Sequence, residues 1–240
     1  MQLAPHLHRI GNDIVAAYLI VTDEGVTVID AGLAGHYAEL TTELDGLGKT
    51  VADIRGIILT HGDSDHIGFA ERIRRERGVP IRVHEADAAL ARGEVPNPAR
   101  GFGTVRLGPV VSFLLWSARH GMFRLPPIAE VVAFGDGATL DVPGAPRVIL
   151  VPGHTPGSAA LVFPRHDAVF VGDAFATYSV TTGVEGPQVA PFTADRDTAI
   201  ASLHRLDGLA ARLLLPGHGQ PWTGGAAEAV RRVRASASPG

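Results

Sequence analysis

The chain has 240 residues, 45% of them hydrophobic, with 21 basic and 25 acidic side chains and a formal net charge of −4. That length and apolar fraction suffice for a substantial core within one compact domain, and the charge balance offers no broad basic face for a phosphate backbone, which argues against nucleic acid as a partner. The absence of cysteine excludes a disulfide framework, a thiol nucleophile and thiolate metal ligands.

At the amino terminus, Met1 to His6 has no basic stretch followed by an apolar one, so no secretory signal is expected and a cytoplasmic location follows as the default. The runs Val15 to Val21 and Val26 to Ile29 predict two strands joined by a hairpin at Asp23-Glu24-Gly25. Leu40, Leu44 and Leu47 recur at helical spacing, which predicts an amphipathic helix over Ala34 to Leu47 stopped by Gly48. A strand over Ile57 to Leu59 then opens into Thr60-His61-Gly62-Asp63-Ser64-Asp65-His66. Next come a helix over Phe69 to Arg77 with an arginine-rich outer face, a strand at Ile81 to Val83 and an alanine-rich helix at Ala86 to Ala91.

From about Val95 to Ile128 this alternation breaks. Pro96 and Pro98 open the segment, Pro126 and Pro127 close it, and Phe102, Phe113, Trp116, Met122 and Phe123 make it apolar and aromatic. It reads either as a lid over a substrate pocket or as a helix packed into the core or onto a second copy in a homodimer. Arg119 and His120 are expected at its surface, and its longest apolar run, Val110 to Trp116, falls far short of the roughly 20 residues that cross a bilayer. Further on, strands are predicted at Val148 to Val151, Ala168 to Val171 and Leu213 to Leu215. Helices are predicted at Asp195 to Leu206, capped by Asp195, and at Ala226 to Val233, followed by a frayed tail from Ala235 to Gly240.

The chemistry is concentrated where strands end. His61, Asp63, Asp65 and His66 place two imidazoles and two carboxylates within six residues after an apolar strand, a donor set suited to zinc, iron or manganese. Three later apolar runs break in the same way, into Pro152-Gly153-His154-Thr155-Pro156-Gly157, Gly172-Asp173-Ala174 and Pro216-Gly217-His218-Gly219. A single Gly-His or Gly-Asp after a strand is ordinarily a turn residue. Four such endings in one chain are poorly explained as turns alone, and together they read as a two-metal site.

The ordered set THGDSDH, PGHTPGS, VGDA and LLPGHG resembles the metallo-beta-lactamase superfamily of metal hydrolases, over nearly the whole chain from about Leu7 to about Val233. The resemblance implies an α/β fold, an αββα sandwich of two mixed sheets flanked by helices, formed as a single domain over residues 1–240. It implies that His61, Asp63 and His154 hold a first metal, that Asp65, His66 and His218 hold a second, and that Asp173 bridges them. The cofactors expected are two divalent metal ions, zinc first. Asp63 stands where the family's common pattern HxHxDH has histidine. A carboxylate there adds negative charge at the first metal and weakens it as a Lewis acid, which gives iron or manganese ground against zinc. Alternatively, Asp63 is a loop residue capping the following helix, which would leave the first site weak or empty.

The reaction the resemblance implies is hydrolysis of a small ester, thioester or lactone by a metal-bridging hydroxide, with Asp65 orienting the hydroxide and passing its proton to the leaving group. Two rivals remain: a mononuclear iron oxidoreductase of the sulfur dioxygenase type, and a ligand-binding protein that keeps the fold without catalysis. The expected partner is a small-molecule substrate. Tyr178, five residues beyond Asp173, either donates a hydrogen bond to a substrate carbonyl or packs structurally, and packing is preferred. Asp30 is read as a residue that orders loops beside the site, and Thr155 and Ser158 as stabilisers of the turn presenting His154. Ser64 and Ser158 lack the setting of a serine nucleophile. His6, His8, His36, His84, His166 and His204 lie outside the strand-end pattern and are read as surface or structural.

Overall fold

The computed structural model describes residues 1–98, 100, 101, 104–123 and 126–237. Phe102 and the tail residues 238–240 lie outside that set. Among the described residues, thirteen strands form two principal sheets and a small ribbon. The first sheet runs in chain order through β1 (Gln2–Ala4), β2 (Leu7–Gly11), β3 (Ala16–Thr22), β4 (Gly25–Ile29), β5 (Ile54–Ile58), β6 (Ile81–His84) and β7 (Val132–Phe134). It is antiparallel as far as β4 and parallel from there on. The second sheet consists of β8 (Arg147–Leu150), β9 (Ala159–Phe163), β10 (Ala168–Gly172) and β13 (Leu213–Pro216), in the order β13-β10-β9-β8. β11 (Ala176–Tyr178) and β12 (Glu185–Gln188) make the ribbon.

The period-2 alternation of strand side chains divides the core into layers. On β3, Ala16, Tyr18 and Ile20 point between the sheets, while Ala17 and Leu19 point outward. On β10, Ala168 and Phe170 face inward, and Val169 and Val171 face out. Both faces of each sheet are therefore apolar and must be covered. α1 (His36–Gly46) and α2 (Ala70–Arg77) cover the first sheet with Leu40, Leu44, Phe69 at the entry to α2, Ala70 and Ile73. α5 (Arg196–Ser202) and α6 (Ala226–Ala237) cover the second with Ala199 nearby and Ala226, Ala229, Val230 and Val233. The result is the layered α/β sandwich of two mixed sheets, helices outside.

Several boundaries differ from the sequence reading. The stretch Ala86 to Ala91 is a 3-10 turn at Glu85–Asp87 running into a short α3 (Ala88–Ala91). Asp195 caps α5 through its side chain, which accepts from the Thr198 amide, but the α-helix ends at Ser202 and continues as a 3-10 turn, Leu203–Leu206. The last helix runs on to Ala237, so Ala235 and Ser236 are helical instead of frayed. The 95–128 segment contains α4 (Leu107–Arg119), whose only buried residue is Ser117. It is therefore not a core helix. Among the described residues, no helix is long and apolar enough to cross a membrane.

Candidate metal centre

The carboxyl ends of β5, β8, β10 and β13 lie along one edge of the sandwich, and their loops converge there. The structure brings together all seven residues singled out from the sequence. Three overlapping clusters form: His61 with Asp63 and His154, Asp65 with His66 and His218, and His61 with His66 and Asp173, the donor atoms in each lying within 4.8 Å of one another. Asp63 Oδ2 is 3.0 Å from His154 Nε2 and 3.4 Å from His61 Nε2. Asp173 Oδ2 is 3.0 Å from His218 Nε2 and 3.5 Å from His154 Nε2, and Asp65 Oδ2 is 3.5 Å from His218 Nε2. Two glycines make this convergence possible. A side chain at Gly217 would place Cβ 2.5 Å from both Asp173 Oδ1 and His66 Cε1, and one at Gly157 would meet the Asp87 carboxylate at 2.6 Å.

Three of the four imidazoles, those of His61, His154 and His218, have Nδ1 hydrogen-bonded behind the centre, which turns Nε2 toward it. His61 Nδ1 lies 3.0 Å from Thr60 Oγ1, which itself donates to Asp30 Oδ2. His66 Nδ1 lies 3.0 Å from Asp30 Oδ2, an ion-pair contact without the geometry of a hydrogen bond. His154 Nδ1 is 3.3 Å from Thr193 Oγ1, which donates onward to the Ala190 carbonyl. His218 Nδ1 meets the Ile14 carbonyl in a very short contact. A neutral ring whose Nδ1–H donates backward has an Nε2 lone pair to offer forward, the arrangement of metal-ligating histidines, and at a ring held protonated by nearby carboxylates an ion would displace the Nε2 proton.

Loop-holding residues complete the frame. Asp30 is buried at a φ of 59°, a left-handed conformation costing an L-residue roughly 1 kcal/mol. It accepts from both the amide and the hydroxyl of Thr60, which offsets that cost and fixes the start of the His61 loop. Asp87, fully buried and unmarked by any sequence motif, accepts from Gly62 N at 2.9 Å, Thr155 Oγ1 at 2.6 Å and Gly157 N at 2.7 Å. One carboxylate thus ties the first histidine loop to the loop of His154. Thr155 and Ser158 stabilise that second loop as expected, the Thr155 amide donating to Ser158 Oγ.

Burial and charge oppose each other here. Burial would raise the Asp63 pKa, but His154, His61 and Arg100 outweigh it and hold the carboxyl well below its usual range. Asp173 behaves likewise through His218, His154 and His66. Burial would lower His66 and His218, yet Asp30, Asp65 and Asp173 around the first ring raise it to about 10, and Asp173 with Asp65 raise the second to about 9. His154, where burial dominates, is lowered.

The donors fit metal ions on a direct observation: His61 Nε2, His66 Nε2 and Asp173 Oδ1 are buried polar atoms without a hydrogen-bond partner. Buried polar groups are otherwise almost always paired. Asp63 does not cap the following helix, whose first turn has no side-chain cap. The expected gain of negative charge at Asp63 is corrected by Arg100. Its guanidinium donates from both terminal nitrogens to the two Asp63 oxygens, each at 2.6 Å, and cancels the added charge. Arg100 carries no sequence signature that would have found it.

A cavity of about 340 Å³ opens above Asp63, Asp65 and His218, with Asn97 and Arg100 on one side and Leu33, Phe113, Leu114, Met122, Val180 and Phe192 as apolar walls. The 95–128 segment thus supplies part of the pocket wall. Arg119 is exposed, and His120 stacks on Trp116 with ring centroids 4.0 Å apart. Tyr178 lines a separate cleft with Arg9, Asn12, Asp13 and Gln220 and does not line this cavity.

The fold and this centre define a metal-centred sandwich of the metallo-beta-lactamase class, and the family model of the metallo-beta-lactamase superfamily matches residues 10–218. The chain belongs to that superfamily. It is 31% identical over 207 residues, 82% of this chain and 76% of the relative, to a Bacillus subtilis protein named "Probable metallo-hydrolase YflN". Among solved structures, metallo-beta-lactamase family protein TTHA1429 from Thermus thermophilus superposes with a TM-score of 0.71 at 23% identity, covering 98% of this chain and 80% of that one. TTHA1623 in a di-iron-bound form superposes with a TM-score of 0.62 at 26% identity, covering 90% and 93%.

Proposed function

We propose that the protein is a dinuclear metal-dependent hydrolase of small esters, thioesters or lactones with an apolar acyl group. The observation that carries this reading is the seven-residue donor cluster at the floor of an apolar-walled cavity. His61, Asp63 and His154 would hold one ion, Asp65, His66 and His218 the other, with Asp173 between them. Such ions, when bound, polarise a substrate carbonyl and lower the pKa of water toward neutrality. Zinc suits these nitrogen and oxygen donors, and iron draws support from the di-iron form of the relative TTHA1623.

The protein's own groups do the rest. The Asp65 side chain is 25% exposed, against 2–3% for Asp63 and Asp173. It is therefore the carboxylate best placed to take a proton from the attacking water and return it to the leaving group. Leu33, Phe113, Leu114, Met122, Val180 and Phe192 hold the acyl part and exclude bulk water from the reacting carbonyl.

Elemental analysis of protein purified without added metal or chelator, paired with an ester, thioester and lactone panel, tests the proposal. Two ions per chain with turnover on the panel is the expected result. A single iron with oxygen uptake on a persulfide would shift the reading to an oxidoreductase, and a metal-loaded protein inert on every panel member would refute hydrolysis.

A further inference from the structure

We infer that Asp63 and Arg100 act as one matched unit, in which the arginine cancels the charge of the carboxylate and sets how tightly the first ion is held. The inference rests on the dinuclear reading above. A carboxylate has about four lone-pair sites on its two oxygens. Arg100 occupies one on each oxygen from outside, in bidentate geometry at 2.6 Å. Asp63 Oδ2 keeps a direction toward His61 Nε2 and His154 Nε2, at 3.4 and 3.0 Å. The pair is well sheltered, with side-chain exposures of 15% for Arg100 and 3% for Asp63, so solvent screens it weakly. Arg100 comes from the loop ahead of α4, far along the chain from Asp63.

The consequence is a sign that distinguishes two roles. A partner that only orients a metal ligand loses metal affinity when removed, typically by about 10- to 100-fold. A buried cation that opposes the ion does the reverse: its removal leaves the Asp63 charge uncompensated and strengthens the site. The same logic sets the expectation for Asp63→His. Alone, that substitution leaves the Arg100 guanidinium unpaired and directed at a neutral ring beside a divalent ion, so affinity should fall even though histidine is a good zinc ligand.

The test is chelator-competition titration of zinc into the full chain for the wild type, Arg100→Gln, Arg100→Lys, Asp63→His and the double variant Asp63→His/Arg100→Gln, with circular dichroism as the check on folding. For the ion held by His61, Asp63 and His154, Arg100→Gln should bind about tenfold or more tightly and Asp63→His about tenfold or more weakly. The double variant should return to within about threefold of wild type, and Arg100→Lys, which keeps the charge, should stay near it. Weaker binding in Arg100→Gln, or a double variant that stays as weak as Asp63→His, would overturn the unit. Wild-type protein that takes up no zinc, iron or manganese would overturn the dinuclear reading and the inference together, whereas normal uptake with weaker binding in Arg100→Gln or an unrescued double variant would overturn the inference alone.

Discussion

Asp87 shows how one buried side chain sets the geometry of residues it never touches. It accepts three hydrogen bonds from two loops that lie far apart in sequence, one donor from the Gly62 amide and two from Thr155 and Gly157. Substituting Asp87 by alanine strands the Gly62 and Gly157 amides where water does not reach and leaves the Thr155 hydroxyl only its contact with Ser158 Oγ. We expect about 3 kcal/mol of lost stability in denaturant unfolding, and a loss of metal affinity because His61 and His154 are no longer held in register. Unchanged metal affinity in a folded Asp87→Ala protein would count against this role. His36 gives a pH dependence of definite sign. It is buried, its Nδ1 accepts from the Leu33 amide, and its ring lies against Trp116 and His120. Burial, together with His120 and against Glu39 and Asp65, lowers its pKa to about 4. The unfolded chain therefore binds the proton more readily than the folded one. Stability from this residue is intact above about pH 6.5 and falls as pH drops toward 4. Trp116 fluorescence followed against pH should show loosening in that window, and His36→Phe should flatten it.

At the scale of elements, α4 is the feature on which specificity depends. Its Phe113 faces Phe192 across the cavity, ring centroids 6.3 Å apart, and Phe192 itself sits at a φ of 60°. A non-glycine residue held in that region at a pocket wall is the kind of strain that the surrounding structure must impose. Removing the Phe113 ring should raise KM for substrates with long apolar acyl groups by about 10- to 100-fold, with little change for acetyl esters. Equal effects on both substrates would show that the wall does not read the acyl chain. The elements behind these walls were unequally legible in the sequence. The four strand-end motifs could be read because each ligand lies next to the apolar run that places it. β12 could not, since Gly186 and Pro187 within it signal a loop. β2 hides its strand character behind His8 and Arg9, which are buried only because Glu43, Asp13 and the Gly219 carbonyl pair them. Arg100, Asp87 and Thr193 are illegible for the same reason: their partners are remote in sequence, and nothing local marks them.

In the whole molecule, the proposed ions would join the two sheets. His61, Asp63, Asp65 and His66 follow β5 of the first sheet, whereas His154, Asp173 and His218 follow β8, β10 and β13 of the second. Each three-residue site therefore takes two donors from one sheet and one from the other. The apolar layer between the sheets, including Tyr18, Phe163 and Phe170, remains without metal, so the sandwich should persist after chelation but lose its cross-link at one edge. Binding to the folded chain alone stabilises it by about 2.7 kcal/mol when free metal is a hundred times its dissociation constant. For a domain of this size that corresponds to a rise of roughly 5–10 °C in Tm. Thermal scans with and without chelator should show that gap, and hydrogen exchange should show the lost protection concentrated in the loops after β5, β8, β10 and β13. A chelated protein with the same Tm and the same exchange pattern would mean that the sheets are clamped by their apolar layer alone, and that the donors are prearranged at no gain to the fold.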